Sequence, residues 1–259
     1  MTRTYVVTGS ASGIGKATAD LLSTQGHRVI GVDVRDADVI ADLTDAAART
    51  RMVAEVTALT DGRVDAIIAV AGLATPAPAT VGVNYFGMVA SLDLLRPLLA
   101  GSDAPRAVGV ASMATLFPVD DALVDAELAG DEEAALARAN QLAADPDTGN
   151  IIYSSTKAGF VRWLRRQAPT EAWAGAGIPL NAVAPGVILT PMVEPFLDSD
   201  EGRAQLHQMV PMPLNGFAEP IVVAYLLAWL AGEENTHLCG QVVFVDGGSD
   251  AVMRGDSVW

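Results

Sequence analysis

The sequence contains a single cysteine and only three histidines among its 259 residues. The one thiol, Cys239, cannot form a disulfide within the chain, and no cluster of Cys and His offers a zinc site. His27, His207 and His237 are widely separated, so we interpret them as surface or loop residues. The sequence therefore predicts neither a disulfide framework nor a bound metal.

Positive charge and long apolar runs are also scarce. The chain has 16 Lys and Arg against 31 Asp and Glu, which gives a net charge of −15. A surface of this charge disfavours binding to nucleic acid and to anionic lipid. The longest apolar run, residues 221–232, is too short to span a bilayer, and no signal peptide precedes the first strand-like segment. We expect a cytoplasmic protein without nucleic-acid or membrane partners.

The apolar residues that are present fall into short runs separated by helical stretches. The predicted strands cover residues 4–9, 28–33, 38–43, 64–70, 106–112, 178–184 and 241–246. The runs are nearly continuous rather than alternating, which is typical of parallel strands buried on both faces. The repeated strand–helix order predicts one α/β domain over residues 1–259 with a Rossmann-like, doubly wound parallel sheet of about seven strands.

Residues 118–150 interrupt this alternation. They contain nine Asp and Glu but only one Arg, and they are rich in Ala, Leu and Glu, which favours one or two exposed helices. We interpret the segment as an acidic helical insertion within the domain. Two roles remain open, a solvated surface decoration or a cover over a substrate cleft.

A glycine-rich turn, TGSASGIG at residues 8–15, connects the first strand to a helical stretch. Gly9 permits a tight turn, Gly13 allows a pyrophosphate to approach the backbone, and Gly15 allows close helix–strand packing. The free N–H groups at the start of the helix then face the phosphates. This context predicts a dinucleotide site.

Asp33 ends the second strand, 18 positions after Gly15. A carboxylate there accepts hydrogen bonds from the adenosine ribose and repels a 2′-phosphate. Val34 follows it directly, and Asp36 offsets the charge of Arg35. The pattern favours NAD over NADP.

The segment YSSTKAGF at residues 153–160 places Tyr153 and Lys157 four positions apart. At helical spacing both lie on one face. A nearby ammonium favours the phenolate and lowers the pKa of the tyrosine, which makes it usable for proton transfer near neutral pH. Taken alone, the pair is also compatible with an ordinary solvated helix contact.

Six motifs in this order resemble the short-chain dehydrogenase/reductase family over nearly the whole chain. They are TGSASGIG at 8–15, VNYFG at 83–87, VAS at 110–112, YSSTK at 153–157, NAVAPGVILTPM at 181–192 and GQVVFVDGG at 240–248. The resemblance implies an oxidoreductase that interconverts a secondary alcohol and a ketone by hydride transfer to or from NAD.

The resemblance also implies roles for four residues. Tyr153 is the general acid/base, and Lys157 lowers its pKa and holds the nicotinamide ribose. Ser112 orients the substrate carbonyl, and Asn84 supports a water-linked proton path through Lys157. The position of Ser112 at a strand end agrees with this role, because open α/β sheets bind ligands at that edge.

The cofactor site implied by the resemblance extends to the end of the sixth strand and to the adenine pocket. Ile188 and Thr190 hold the nicotinamide carboxamide, and Asp42 and Leu43 contact the adenine. The full predicted cofactor set is Gly9, Ser12, Gly13, Ile14, Gly15, Asp33, Asp42, Leu43, Ala71, Gly72, Tyr153, Lys157, Pro185, Gly186, Ile188 and Thr190.

One motif departs from the family pattern. Ala69 and Val70 precede Ala71 and Gly72 where two asparagines are usual, which puts a hydrogen bond at this strand end in doubt.

Ser112 and Tyr153 are 41 positions apart, and an acidic helical insertion between them resembles the bacterial 3α-hydroxysteroid dehydrogenase/carbonyl reductase subgroup; coniferyl-alcohol dehydrogenases are similar. This implies a hydrophobic substrate, steroid-like, cyclic or aromatic. It also implies a homodimer or homotetramer whose interface the insertion alters.

Predicted substrate contacts lie near the catalytic strand ends: Ser112, Met113, Tyr153, Val187 and Met192. Leu116, Phe117, Val193 and Phe196 are further apolar candidates, and each could equally be ordinary core. Residues 191–216, with four prolines, are predicted to form a lid.

Three other functions share parts of this pattern. A non-catalytic dinucleotide sensor would not need Tyr153 and Lys157. An NADP-dependent carbonyl reductase would not be expected to have a carboxylate at the position of Asp33, where it repels a 2′-phosphate. A sugar-nucleotide epimerase or dehydratase would require a larger C-terminal substrate domain.

Overall fold

Seven parallel strands form one sheet in the computed structural model, which describes residues 2–258. The order across the sheet is β3-β2-β1-β4-β5-β6-β7. The strands are β1 Thr4–Thr8, β2 Arg28–Asp33, β3 Val39–Ile40, β4 Ala66–Ala69, β5 Arg106–Val110, β6 Leu180–Pro185 and β7 Val242–Val245. The strand order reverses between β1 and β4, and open α/β sheets bind ligands at the carboxyl ends of the strands at such a point.

Helices connect the strands. They are α1 Gly13–Thr24, α2 Ala46–Thr60, α3 Pro78–Val81, α4 Met88–Leu95, α5 Asp121–Ala129, α6 Glu132–Ala143, α7 Ile151–Gln167, α8 Glu194–Leu197, α9 Asp200–Met209, α10 Pro220–Leu230 and α11 Ser249–Arg254. A π-helical turn, Gly82–Gly87, leads into α4, and 3-10 helices cover Arg96–Gly101 and Met113–Leu116. Within the described residues, no helix is both long and apolar enough to cross a membrane.

Each face of the sheet is covered by its own apolar layer. On one face Ile67 packs with residues of α2, α4 and α7, including Leu92 and Phe160. On the other face Ile68 packs with Leu22 of α1 and with residues of α10. Neighbouring strand residues thus point into opposite layers and both are buried. This explains the continuous apolar runs and confirms the doubly wound α/β fold.

The third strand is shorter than predicted. Residues 38–43 were expected to be extended, but β3 contains only Val39 and Ile40. The Asp42 carboxylate accepts hydrogen bonds from the backbone N–H and the hydroxyl of Thr44, at 2.9 and 2.7 Å. This side-chain turn ends the extended backbone. Asp42 and Leu43 therefore lie in a turn that leads to α2.

The acidic segment 118–150 forms two helices, α5 and α6, but the prediction that they are exposed is only partly right. Leu123, Val124, Ala135, Ala139 and Leu142 are all buried. They lie at helical spacings on the inner faces of α5 and α6, whose outer faces carry most of the acidic residues. The two helices pack against each other and against α7.

One acidic residue of this segment points inward. Glu127 on α5 is fully buried, and neither carboxylate oxygen has a hydrogen-bond partner among the described residues. It fills the space above Gly159 of α7, where an added Cβ would overlap the carboxylate. Burial raises the pKa of Glu127 well above its usual value. The packing of α5 on α7 therefore favours a protonated carboxyl group.

We predict that Glu127→Gln stabilises the protein at neutral and alkaline pH. The unfolded chain loses this proton near pH 4.5, whereas the folded protein retains it to higher pH, so stability falls as pH rises above that value. The free energy of unfolding should increase by at least about 1 kcal/mol at pH 8 and should not change at pH 4. Urea denaturation at both pH values measures this difference. Glu133→Gln, at an exposed site on α6, is the control, and an equal gain from both variants would contradict the prediction.

Candidate active site

The predicted catalytic residues come from three elements that meet at the carboxyl edge of the sheet. Ser112 follows β5 and caps the 3-10 helix Met113–Leu116, because its hydroxyl accepts a hydrogen bond from the backbone N–H of Ala114 at 3.1 Å. Tyr153 and Lys157 lie one turn apart on α7. Asn84 lies in the π-helical turn before α4, and such turns are frequent at functional sites.

Tyr153 and Ser112 are close enough to interact through their hydroxyl groups. The tyrosine is partly buried. Burial raises the pKa of Tyr153, and its hydrogen bond with Ser112 lowers it, burial being the larger effect. The hydroxyl groups of Tyr153 and Ser112 are therefore adjacent.

Lys157 is almost completely buried, with 3% of its surface exposed. Its Nζ donates a hydrogen bond to the carbonyl oxygen of Val110 at 2.9 Å and lies 5.8 Å from the centre of the Tyr153 ring. Burial lowers the pKa of Lys157 to about 8.

The prediction that Lys157 lowers the pKa of Tyr153 is not met by the groups of this chain. The pKa of Tyr153 is raised, and Ser112, not Lys157, is the group that opposes the effect of burial. The physical reason is that both side chains leave water together. Desolvation disfavours the phenolate and the ammonium alike, so burial raises the pKa of Tyr153 and lowers that of Lys157.

Asn84 is fully buried, and its amide group is occupied by protein partners. Its Oδ1 accepts from the backbone N–H of Leu73 at 2.8 Å, and its Nδ2 donates to the Leu73 carbonyl at 2.8 Å and to the Thr156 hydroxyl at 3.2 Å. A Cβ added to Gly72 would lie 3.3 Å from Asn84 Oδ1 and 3.6 Å from Lys157 Nζ. Asn84, Gly72 and Lys157 therefore line one small region.

The glycines of the 8–15 turn occupy positions where a side chain would not fit. Gly9 has a φ of +69°, and a Cβ there would lie 2.9 Å from the Ala71 backbone. Gly13 has a φ of +52°, and a Cβ there would lie 3.1 Å from the side chain of Thr190, while a Cβ on Gly15 would overlap the Gly9 carbonyl.

These positions leave the start of α1 open. Ser12, at the N-cap of α1, makes no side-chain capping bond, so the first N–H groups remain available to an anion. Ile14 lies in the same turn of helix. The turn fits a dinucleotide diphosphate.

Asp33 lies at the end of β2 with its carboxylate oriented by two backbone groups. Oδ2 accepts from the N–H of Ala11 at 3.0 Å and Oδ1 from that of Val34 at 2.7 Å. Ala11 belongs to the glycine-rich turn, so the carboxylate is held beside that turn. It fits the recognition of a ribose diol.

The strand end that lacks the two family asparagines is fastened by Thr8. The Thr8 hydroxyl oxygen accepts hydrogen bonds from the backbone N–H groups of Val70 and Ala71 at 3.0 and 3.1 Å. Thr8 is itself buried at the end of β1. The end of β4 is therefore fixed against β1 although Ala69 and Val70 have no polar side chains.

The remaining predicted cofactor residues differ in how accessible they are. Pro185 ends β6, and Gly186 follows at a point where a Cβ would lie 3.0 Å from the Met212 sulfur. The backbone of Ile188 pairs with that of Ala218. Asp42 is exposed, whereas the side chain of Leu43 belongs to the core, which leaves only its backbone for an adenine contact.

Only some of the predicted substrate contacts come together. Met113 and Val187 pack in one apolar cluster, with Leu116, Phe117 and Val193 at its edge. Met192 lies outside it with 40% of its surface exposed, and Phe196 is similarly exposed.

Three buried residues of this cluster were missed in the sequence: Leu206, Val210 and Met212. They lie within the predicted lid 191–216, which contains α8 and α9. Leu206 and Val210 are one helical turn apart, which is a signal for a shared face. The contact of Met212, whose sulfur accepts from the Val187 N–H at 3.3 Å, has no comparable local signal.

Comparison with known proteins identifies the family. Residues 3–124 match the family model described as short chain dehydrogenase, and residues 136–250 match one described as enoyl-(acyl carrier protein) reductase. The 3-alpha-hydroxysteroid dehydrogenase/carbonyl reductase of Comamonas testosteroni is 36% identical over 254 residues, covering 96% of this chain and 97% of the relative. The chain belongs to the short-chain dehydrogenase/reductase family. It is an oxidoreductase that acts on CH–OH groups.

Two further similarities extend over the whole fold. The cis-4-hydroxycyclohexanecarboxylate dehydrogenase of Sinomonas cyclohexanicum is 34% identical over 267 residues, covering 96% of this chain and 97% of the relative. A crystal structure of the 3-alpha-hydroxysteroid dehydrogenase of Pseudomonas sp. B-0831 complexed with NADH aligns with a TM-score of 0.87 at 38% identity, covering 98% of this chain and 99% of that one.

We predict that Lys157→Met removes activity but stabilises the fold. With a pKa of about 8 in the folded protein against 10.5 ordinarily, the buried ammonium destabilises the folded state at neutral pH. Between these two pH values only the unfolded chain keeps the proton, so the stability of the wild type rises with pH. After the lost hydrogen bond to Val110 is subtracted, the gain at pH 7 is on the order of 2 kcal/mol.

The measurement is thermal unfolding of Lys157→Met and wild type between pH 7 and 10.5. The Tm of the variant should be higher at pH 7, and the difference should narrow toward pH 10.5. Lys16→Met, at an exposed position on α1, controls for the methionine itself. A Tm difference that does not change with pH would contradict the expected role of the buried charge.

Proposed function

We propose that this protein is an NAD-dependent oxidoreductase that interconverts a secondary alcohol and a ketone on a hydrophobic skeleton, steroid-like, cyclic or aromatic. The observation that carries the proposal is the convergence of Tyr153, Ser112 and Lys157 at the end of β5. This site lies at the same sheet edge as the glycine-rich turn and Asp33.

The cofactor residues would hold the dinucleotide along that edge. The turn that contains Gly13 supplies N–H groups for the diphosphate. Asp33 accepts hydrogen bonds from the adenosine ribose, and Lys157 donates to the nicotinamide ribose. Ile188 and Thr190 bind the carboxamide. When bound, the nicotinamide ring supplies or accepts the hydride.

Tyr153 exchanges the proton with the substrate oxygen. In alcohol oxidation its phenolate accepts the proton of the substrate hydroxyl while a hydride leaves the carbon that bears this hydroxyl. In ketone reduction the phenol donates the proton to the oxygen as the hydride arrives. Ser112 donates a hydrogen bond that orients this oxygen, and Asn84 holds the backbone at Leu73 next to Lys157.

Formation of the phenolate requires positive charge near Tyr153. Each unit by which its pKa falls corresponds to about 1.4 kcal/mol of preferential stabilisation of the anion. Burial alone acts in the opposite direction. The ammonium of Lys157 and the positive charge of an oxidised nicotinamide ring both favour the anion, and charges act more strongly in a water-poor cleft.

Two observations support a hydrophobic substrate. The site is bordered by the apolar cluster of Met113, Val187 and Leu206, and apolar walls with few polar groups are typical of such pockets. Two of the relatives are named as dehydrogenases of a hydroxysteroid and of a hydroxycyclohexane carboxylate. Both names specify a hydroxyl group on a cyclic skeleton.

The proposed assembly is a homodimer or homotetramer. Val222, Tyr225 and Trp229 form an apolar strip along the outer face of α10 and are 44–60% exposed. Such a strip supports contact with a second copy of the chain.

Tyr153→Phe should abolish turnover and leave dinucleotide binding intact. Removal of the hydroxyl deletes the proton donor and acceptor, and general acid–base catalysis typically contributes about 10²- to 10⁴-fold to the rate. A panel of steroid, cyclic and aryl alcohols with NAD, monitored at the absorbance of NADH, gives kcat. Fluorescence titration with NADH gives the Kd. If the wild type binds NADH but oxidises no alcohol and reduces no ketone, a dinucleotide sensor is the better interpretation.

Asp33→Asn should shift the cofactor preference toward NADP. The carboxylate repels a 2′-phosphate, and loss of about 1.4 kcal/mol of repulsion corresponds to tenfold in kcat/KM. The ratio of kcat/KM for NAD to that for NADP should therefore fall by at least about tenfold. Asp36→Asn is a matched control, because Asp36 is exposed in the same loop at a φ of +48°, which asparagine tolerates. A wild-type enzyme that prefers NADP would overturn the assignment of NAD.

A further inference from the structure

We propose that Arg138 on α6 is a positioning residue for the reaction, because it fixes Asp120 and thereby holds residues 118–120 against the first turn of α7, next to Tyr153. This inference rests on the proposed function of Tyr153 as the proton donor and acceptor.

The first turn of α7 is held by side chains outside its own N-cap. Asn150, the N-cap residue, makes no side-chain capping bond. The Ser154 hydroxyl donates to the carbonyl oxygen of Pro118 at 2.6 Å, and the Ser155 hydroxyl accepts from the backbone N–H of Asp120 at 2.9 Å. Both serines are buried and directly follow Tyr153. The position of the tyrosine therefore depends on where residues 118–120 lie.

Residues 118–120 follow the segment that begins at Ser112, whose hydroxyl is proposed to contact the substrate together with that of Tyr153. Ser112 caps the 3-10 helix Met113–Leu116, and Phe117 leads directly to Pro118. One short stretch of backbone thus begins at Ser112 and ends in the contacts to Ser154 and Ser155. It determines how far the Ser112 hydroxyl lies from the phenol of Tyr153.

Asp120 is the fixed point at the end of this stretch. Its Oδ1 accepts from the backbone N–H of Leu123 at 2.8 Å and so caps α5. Arg138 donates from Nε to Oδ1 at 3.0 Å and from Nη2 to Oδ2 at 2.6 Å. This two-pronged pairing restricts the orientation of the carboxylate as well as its distance. The Arg138 hydrogen bond also lowers the pKa of Asp120, so the carboxylate remains charged.

The helix that carries Arg138 is attached to the main domain at its other end. Glu132, in the first turn of α6, accepts two hydrogen bonds from Nη2 of Arg49 on α2, at 2.8 and 2.7 Å. The side chain of Arg49 is 6% exposed and that of Glu132 is 30% exposed, so this ion pair is partly shielded from solvent. A continuous set of contacts therefore runs from α2 through α6 and Asp120 to the turn that carries Tyr153.

Loss of the Arg138 contact should affect the chemical step more than binding. Proton transfer requires the reacting atoms to be correctly placed, and a misplacement of about 1 Å can reduce the rate roughly 10²-fold. Arg138 lies outside the groups proposed to contact the dinucleotide or the substrate. A freer Asp120 would also weaken the Ser112 hydrogen bond, which lowers the pKa of Tyr153.

The test is steady-state kinetics of Arg138→Ala in alcohol oxidation with NAD. We expect kcat to fall by about tenfold or more, KM for the alcohol to change less than about threefold, and the Kd for NADH to stay unchanged. The apparent pKa on the rising limb of the kcat profile should shift upward. Arg138→Lys should restore part of kcat, because an ammonium keeps the charge but loses the two-pronged geometry.

Arg162→Ala is the matched control. Arg162 lies on α7 and pairs with Asp121 of α5 at 4.0 Å, with about half of its side chain exposed, so it joins α7 to α5 without contacting residues 118–120. Its kcat and pH profile should match the wild type.

A folded Arg138→Ala variant with unchanged kcat and an unchanged pH profile would overturn the inference. If that variant does not fold, Arg138→Lys decides by the same criterion. Failure of the proposed function is recognised separately, since Tyr153→Phe would then retain its turnover.

Discussion

The hydrogen bond from Lys157 to the carbonyl oxygen of Val110 is the contact on which the site geometry depends. It joins α7 to the end of β5, two residues before Ser112. Because Tyr153 lies one turn from Lys157 on the same helix, this bond, together with the contacts of Ser154 and Ser155 to residues 118–120, places the phenol opposite the serine hydroxyl. The same bond keeps the amine within the protein, and burial lowers the pKa of Lys157 to about 8. Stability and site geometry are therefore in conflict at Lys157, as is common where a fold holds a charge for chemistry.

The features predicted correctly from the sequence are those encoded by local spacing. Strands covered on both faces appear as continuous apolar runs, and the bounds of β2 agree residue for residue with the prediction. The turn around Gly9 and Gly13 was recognisable because its positive φ angles require glycine. Tyr153 and Lys157 share a helix face because four positions make one turn. In each case the signal lies within a few residues.

The features that were missed depend on contacts between distant parts of the chain. The pKa direction of Tyr153 follows from the shared burial of two side chains, which spacing does not report. Met212 reaches the apolar cluster by a contact with Val187, 25 positions away. Arg49 and Glu132 are separated by 83 positions, and neither residue stands out in the sequence. The acidic composition of the insertion also indicated exposed helices. The apolar residues on the inner faces of α5 and α6 were overlooked because acidic residues dominate the composition.

The insertion shows why net charge is a poor guide to where acidic residues lie. Several of its nine acidic residues contact protein groups, among them Asp120 with Arg138, Glu132 with Arg49, and Glu127 in the interface with α7. An ion pair with an exposed partner contributes little to stability, but a pair with two hydrogen bonds fixes geometry; the side chains of Arg138 and Glu132 are 35% and 30% exposed. The two arginine pairs therefore act chiefly on position. The sequence left open two roles for the insertion, a surface decoration or a substrate cover. The packing indicates a third role, because α5 and α6 pack against α7, the helix that carries Tyr153, and support it.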